Sequence, residues 1–517
     1  IALRFLSPKI RKDSMSLGEP LEIKKVLVAN RGEIAVRVFR TCRDLGIKTV
    51  ALYSDADRDA LHVKLADESY YLGPPEPLKS YLDVEKIISV AKRARVDAIH
   101  PGYGFLSQNP VFAERIIEEG FVWIGPDPET MRLVGDKLGA RRLFSGKGIP
   151  VVPGTLEPVN DRDAVSIAEE IGFPVIVKPA GGGGGIGMFV ATSPEKLDEY
   201  LKRAVELAKS SFGKYEVYIE KYFPLSKHIE VQIIGDKNGH ILHLHERECS
   251  VQRRYQKVIE EAPSPSLDPQ EKEKILKTAL EAAKVAKYTN AGTFEFLFDT
   301  QSRGFFLLEV NSRIQVEHPV TELITGLDIV ELQLRVASGE SLSLKQEEIV
   351  VRGHAIEARI YAEDPSAGFV PSPGKIEHLS LPSGPWIRVD NGIYEGYEVP
   401  PYYDPLLMKV VSFGLTRGQA IARLRRGLSE LKISGIKHNK FLVLRVLEDQ
   451  RFLDASYTTR LLEDQKFYEN LQNEDPLPPI PGKSRTETVE ERKEPKTKVE
   501  KEKVNLWRVA SRVRYES

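Results

Sequence analysis

The chain holds 517 residues, enough for several compact units with a sizeable core. Its 74 basic and 75 acidic side chains leave a net charge of -1, so no global field draws nucleic acid or an anionic membrane, and any anion site has to be built locally. Two cysteines are too few for a disulfide scaffold or a paired-cysteine zinc site, and with no apolar run of about 18 residues and no signal-peptide pattern the expectation is a chain of the reducing cytoplasm.

The opening stretch IALRFLSPKIRKDS is basic and nearly free of acids. It reads as an extension over 1–23, running past Met15, with the remnant of an organellar transit sequence, and hence a matrix location, as the alternative. From Val26, VLVAN predicts a strand, RGEIAVRVFRTCRDLG a helix whose Ile34, Val38 and Cys42 recur on one face, and IKTVALYSD a second strand. A helix at 84–94, the short strand DAIH and the loop PGYGFLSQNP extend this βαβ unit into an open parallel, Rossmann-like sheet over 24–134. NRGEIA lacks the glycines of GxGxxG, which removes the main support for a dinucleotide dehydrogenase.

The middle, 135–345, changes character. VIVKP and EVYIEKYF read as strands, and HIEVQIIGDKNGHILHLHE alternates on both sides of Asn238-Gly239, a two-residue hairpin signal. TFEFLFD and GFFLLEVNS predict another hairpin, and helices at 271–289 and 329–338 complete an α+β unit. Beyond Val350, short strands among Pro and Gly clusters lead to a helix at 419–431, giving a mainly β unit over 350–460. The end, 470–517, is rich in Lys, Glu, Thr and Pro and reads as a charged linker or tail. Its last stretch, VNLWRVASRVRY, is a frayed terminus or a short docking helix.

Three stretches carry chemistry. KPAGGGGGIGM places Lys178 at a strand end before five consecutive glycines, whose N–H groups can close on an anion while the lysine adds a point charge. The order is not that of a Walker A loop, and a mobile lid over phosphates is favoured over a flexible hairpin tip. In TFEFLF, the aromatic face of Phe294, Phe296 and Phe298 is expected to be buried, leaving Glu295 on the other face. Glu309 and Asn311, two apart, share a face and with Glu295 would offer hard oxygen ligands to Mg²⁺. Steps of two continue to Arg313, Gln315 and Glu317, so an extended backbone would make one row of metal ligands, guanidinium and carboxylate. A solvated strand face is the plainer alternative. ECSVQRRYQKVIEEAP carries Arg253, Arg254 and Lys257 among four carboxylates, equally readable as a salt-bridged loop. His243 and His245 share a strand face, but no further ligand stands near and a structural role is expected.

Together HPGYGFLSQNP, KPAGGGGGIGM, CSVQRRYQK, EVNSRIQVEHPVTE, GHAIEARIYAEDP and VPPYYDP resemble the biotin carboxylase component of the biotin-dependent carboxylases, in the ATP-grasp superfamily, from about Lys24 to about Thr459. The resemblance implies a Rossmann-like N-terminal domain, an ATP-grasp domain with a lid at about 150–222, and a mainly β C-terminal domain. It implies that Lys137, Lys178, Gly184 and Gly185 contact ATP phosphates, that Glu220, Lys221, Tyr222 and Phe223 line the adenine, and that His228 and Gln252 approach the nucleotide. Glu295, Glu309 and Asn311 would hold Mg²⁺ or Mn²⁺. Bicarbonate would sit near Lys257, Arg313, Gln315 and the backbone of Val316, with Glu317 as general base and Arg359 stabilising a biotin enolate.

No AMKM-type biotinylation sequence occurs. The resemblance therefore implies biotin on a separate carrier protein, a further partner in the carboxyltransferase, and a homodimer. Ile186 stands where many relatives carry Arg, and Tyr255 where His is usual, which puts one lid contact and one nucleotide contact in doubt. A carboxylate–amine ligase or carbamoyl-phosphate-forming synthetase would share the glycine lid and metal carboxylates but would not need RIQVEHPVTE with EARIYAEDP. A regulatory ATP-binding protein would be expected to have lost Glu317, Lys257 or Arg359.

Overall fold

The computed structural model describes residues 20–160, 163–181, 187–212 and 216–476. The first unit alternates β1 Lys25–Val28, α1 Gly32–Asp44, β2 Lys48–Ser54, α2 Leu61–Leu65, β3 Glu68–Gly73, α3 Val84–Ala94, β4 Ala98–His100, α4 Pro110–Glu118 and β5 Val122–Trp123. All strand pairs are parallel, in the order β3-β2-β1-β4-β5. The helices cover both faces: Ile34, Ala35, Val38, Phe39 and Cys42 of α1 pack on Val26 and Val28, while Ile87, Ile88 and Ala91 of α3 pack on Leu27, Val50 and Leu52. Helix α3 starts where Asp83 accepts the Lys86 N–H and matches the sequence expectation in extent.

Two short helices, α5 Pro128–Gly135 and α6 Lys137–Gly146, lead to a small sheet with α7 Ala164–Ile171, β6 Val175–Pro179, β7 Phe189–Ala191, α8 Pro194–Phe212 and β8 Val217–Lys221. Its order is β7-β6-β8, antiparallel throughout, and it is closed by Ala164, Ala168, Leu197, Leu201 and Ala204 of the two helices.

The large sheet contains β9 Ser226–Gly235, β10 Ile241–Arg253, β11 Gln256–Ala262, β12 Asn290–Asp299 and β13 Phe305–Asn311, with α9 Pro269–Val285 across one face. Helix α9 begins in a reciprocal capping box of Asp268 and Glu271. Alternation along β9 and β12 turns Ile229, Val231, Ile233, Phe294, Phe296 and Phe298 toward Ile275, Ala279 and Ala283 of α9. His228, Glu230, Gln232 and Glu295 therefore occupy the opposite face.

The β9–β10 connection is longer than the two-residue turn expected from Asn238-Gly239. Asp236 and His240 still pair through their backbones, and the Asp236 carboxylate accepts the N–H groups of Asn238 and His240, so three residues turn with Gly239 at φ 82°. Farther along, a register shift between His243 and Glu246, with His245 at φ 67°, interrupts the regular alternation, yet the two histidine rings still meet in a T-shaped contact with centroids 5.0 Å apart. His245 Nε2 is 3.0 Å from the Ile349 carbonyl oxygen, a structural contact.

After α10 His318–Thr325 and α11 Ile329–Ser338, β14 His354–Tyr361 pairs with β11 and continues the same sheet. The strands Leu406–Gly414 and Ile387–Asn391 follow, making eight strands in all. The mainly β stretch after Val350 thus extends the central sheet, and helices Arg417–Glu430 and Lys440–Val446 bury its outer apolar face through Leu424, Leu428, Leu442 and Val443 on Ile356, Ala358 and Val410.

Candidate active site

Cross-strand register places the first part of the expected row. Glu295 faces Glu309 and Thr293 faces Asn311 across β12 and β13, with a bulge just after Glu295. The extended row ends there: residues 312–316 are irregular, and Glu317 is the N-cap of α10, with Pro319 in the first turn. The His318 ring and N–H both meet the Gln315 carbonyl, which bends the chain instead of continuing the strand.

The side chains converge despite the bend. Arg313 donates from Nη1 to Gln315 Oε1 at 2.7 Å and from Nη2 to Asn311 Oδ1 at 3.2 Å, and Gln315 Nε2 donates to Glu295 Oε1 at 2.9 Å. At the centre, Lys257 Nζ lies 2.5 Å from Glu230, 3.0 Å from Glu295 and 2.6 Å from Glu317. The second oxygen of Glu317 accepts from Arg359 Nη2 at 2.8 Å. Burial alone would raise the Glu317 pKa, but Lys257, Arg359 and Arg247 hold it well below the ordinary carboxylate range. Burial would equally depress Lys257, and its carboxylates instead push it well above the usual lysine value.

The donor chemistry fits a divalent cation. Asn311 Nδ2 reaches Glu295 Oε1 at 2.9 Å and Glu309 Oε1 at 3.4 Å, so one amide spans both carboxylates, and the same amide turned over offers Oδ1. Two carboxylates and an amide are hard oxygen ligands of the kind Mg²⁺ takes. Among the described residues, the groups His228, Glu230, Glu295 and Glu230, Cys249, Glu317 also cluster their ligand atoms within 4.8 Å. Lys257 bonds carboxylates of both groups and supplies the positive charge there.

On the nucleotide side, Lys178 Nζ lies 2.5 Å from Glu220 Oε2, and Arg141 pairs with the other Glu220 oxygen. Lys137 opens α6, and its burial keeps its pKa below the ordinary lysine value even with Glu309 nearby. His228 Nε2 lies 3.0 Å from Glu295 Oε2, and Gln252, the ladder partner of Lys257, donates to the Cys249 carbonyl. The Lys221 ammonium is bound to the Gly172 and Phe173 carbonyls, the Tyr222 N–H to that of Pro174, and Phe223 stacks on Phe306 with ring centroids 5.2 Å apart. None of these three side chains joins the charged network through a contact the structure shows. Gly184, Gly185 and Ile186 lie outside the described residues.

Sequence reasoning missed Glu230 and Arg247. Arg247 is fully buried and is tied by Glu230, Gln232, Thr293 and Thr321. It also missed Gln108, which accepts from Arg313 Nε at 2.5 Å, and Lys409, whose Nζ donates to the Val316 carbonyl at 2.9 Å. A signal existed: Glu230 and Lys409 are lone charges inside the apolar strands HIEVQII and LLMKVVSF, where burying a charge is costly without a partner.

Three family models match in chain order: the biotin carboxylase N-terminal domain at 22–131, the carbamoyl-phosphate synthase L chain ATP-binding domain at 136–345, and the biotin carboxylase C-terminal domain at 357–464. Biotin carboxylase 1 of Bacillus subtilis is 49% identical, over 85% of this chain and 98% of its own length. The chain belongs to the biotin carboxylase family. As a biotin carboxylase it is an ATP-dependent ligase that carboxylates biotin with bicarbonate, built on the ATP-grasp fold. A pyruvate carboxylase subunit of Methanothermobacter thermautotrophicus is 47% identical, over 87% and 94% of the two chains. The biotin carboxylase domain dimer of Hydrogenobacter thermophilus 2-oxoglutarate carboxylase, solved with MgADP, ADP and bicarbonate, superposes with a TM-score of 0.84 at 44% identity, covering 86% of this chain and 99% of that one. Among the described residues no helix is long and apolar enough to cross a membrane.

Proposed function

We propose that this biotin carboxylase carries out the first half-reaction of a multi-subunit carboxylase, charging biotin on a separate carrier protein, with residues 24–134, 135–345 and 350–460 as its three domains. The observation that carries the assignment of roles is the placement of Glu317 between Lys257 and Arg359, with Lys257 linked through Glu295 to Gln315 and Arg313.

ATP phosphates are assigned to Lys137, Lys178 and the glycine loop with Gly184 and Gly185, the nucleotide base to residues 220–223, and further nucleotide contacts to His228 and Gln252. Phosphoryl transfer depends mainly on positioning and charge neutralisation, and Mg²⁺ held by Glu295, Glu309 and Asn311 would supply that neutralisation. Bicarbonate is assigned to Arg313, Gln315, Lys257 and the backbone of Val316, a planar anion facing a guanidinium fork.

Glu317 takes the bicarbonate proton as the oxygen attacks the γ-phosphorus, giving carboxyphosphate and ADP. In the present arrangement Lys257 and Arg359 favour its ionised form. A bound anion that draws Lys257 toward itself releases one of the two cations on Glu317 and raises its basicity. Carboxyphosphate then breaks to CO₂ and phosphate, phosphate removes the N1′ proton of biotin, and Arg359 stabilises the enolate that attacks CO₂. Delivery of the carboxyl group to acetyl-CoA, propionyl-CoA or pyruvate falls to a carboxyltransferase partner, and a homodimer is the working assembly.

The test is Glu317→Gln. Bicarbonate-dependent ATP hydrolysis is expected to drop about 10²–10⁴-fold, the share general acid–base catalysis supplies, with nucleotide affinity retained. Unchanged turnover removes Glu317 from the role. Omitting Mg²⁺, bicarbonate or free biotin in turn should each suppress hydrolysis by the native enzyme.

A further inference from the structure

Behind Arg359 lies a pair of acids that the reaction above does not use. Glu260 of β11 and Glu357 of β14 are direct cross-strand partners, both fully buried, and directly opposed side chains in an antiparallel pair stand with Cβ atoms about 4.5–5.5 Å apart. Neither oxygen of Glu357 meets a hydrogen-bond donor. Glu260 has only the ion-pair contact of its Oε1 with Arg359 Nε.

Among the described residues no cation bonds Glu357 directly, and Lys409 and Arg359 act on it only from a distance, less strongly than burial does. Arg359 is shared between Glu260 and Glu317, and Lys409 is committed to the Val316 carbonyl, Glu33 and Asp390. The other groups that face the pair are Lys257 of β11, Glu230 of β9, Cys249 of β10, Tyr361 of β14 and Glu317 at the head of α10. The reverse face of the sheet, with Ile356, Ala358 and Ile360, is apolar. Two opposed carboxylates in such a place cannot both ionise cheaply.

We propose that Glu260 and Glu357 share a single proton and serve as a positioning pair for Arg359: singly protonated, they leave its Nη2 group on Glu317, and doubly ionised, they draw the guanidinium back from the biotin side. Burial, the largest influence on both, pushes Glu260 up to about 7 and Glu357 well above the ordinary carboxylate range, in keeping with a retained proton. On the other side of β14, Arg359 is the ladder partner of Lys409 in the strand Leu406–Gly414. The charge state of the pair therefore bears on both the enolate-stabilising arginine and the lysine that holds Val316. The consequence for turnover rests on the role proposed for Arg359, but the existence of the proton does not.

Infrared spectroscopy of the full-length enzyme in D₂O tests the proton directly. The native protein at neutral pH should show the C=O stretch of a buried protonated carboxylic acid, absent in Glu357→Gln and restored in Glu357→Asp. No such band in the native enzyme, or an unchanged band in Glu357→Gln, overturns the proposal. The kinetic arm follows kcat for biotin carboxylation above neutral pH. In the native enzyme it should fall about tenfold per pH unit beyond the ionisation of the pair, and in Glu357→Gln that limb should vanish, with KM for ATP unmoved in both. An unchanged alkaline limb in Glu357→Gln overturns the positioning role. Should Glu317→Gln prove fully active while the band behaves as expected, the fault lies with the proposed reaction and not with the shared proton.

Discussion

Two lysines of this enzyme each lie against a buried glutamate, yet their surroundings are opposite in charge. Lys257 is divided among Glu230, Glu295 and Glu317. Lys178 shares the single carboxylate of Glu220 with Arg141, and Lys137 stands close by. The first region is rich in carboxylates and offers a base and metal ligands; the second is rich in cations and offers a place for phosphates. The contrast teaches that the job of a buried ion cluster follows from the sign of its surplus charge, not from the residue at its centre.

Removing the central lysine should separate the two regions most sharply. Lys257→Met leaves three buried carboxylates without their shared cation and is expected to lower unfolding stability by about 3–5 kcal/mol, read from denaturant titration, along with the loss of activity. If stability holds, the carboxylates are not balanced through Lys257. Next, Arg359→Ala should lower the rate of biotin carboxylation by about 3 kcal/mol of transition-state stabilisation while sparing ATP binding. Equal losses in both would assign Arg359 to the fold instead of the enolate.

A third measurement uses pH. Burial would raise Glu261, but His354 and Arg417 outweigh it and bring its pKa to about 2. A depressed folded-state value contributes stability that is complete above the ordinary carboxylate pKa and is lost as pH falls through about 2. The size is on the order of 3 kcal/mol. The difference in unfolding free energy between native and Glu261→Gln enzymes should shrink across that acid window, and a constant difference refutes the assignment. The smallest effect belongs to Lys178→Met. Glu220 keeps Arg141, so the stability cost should be about 1–2 kcal/mol, and the main readout is a raised KM for ATP. A larger stability loss than in Lys257→Met would invert the comparison.

Much of this was legible in the residues themselves. The βαβ start, the helices at 84–94 and 329–338, and the aromatic face of Phe294, Phe296 and Phe298 follow from local periodicity and agree with the structure. Glu295, Glu309, Asn311, Arg313, Gln315, Glu317, Lys257 and Arg359 stand close together in space. What periodicity missed is tertiary. An extended backbone past Asn311 would make one row, but Glu317 caps a helix, and the convergence comes from a bend. The bulge after His243 interrupts the alternation that counting by two assumes, although the two histidine rings stay in contact. Glu230 and Lys409 stand out locally as lone charges in apolar strands, but their partners, like those of Glu260 and Glu357, lie on other strands that no local pattern identifies.

The continuous eight-stranded sheet bears on how such a protein can be inherited. Its fifth and sixth strands, β11 and β14, join segments about a hundred residues apart in the chain through an antiparallel ladder. A truncated chain ending near residue 350 would expose β11 as a bare edge, an open template for pairing with a neighbour. Recombination between relatives should therefore tolerate breakpoints before β1 or beyond residue 476 far better than any at the apparent boundary near 350. The middle and final family segments would be exchanged as one cassette, however cleanly the sequence seems to divide them.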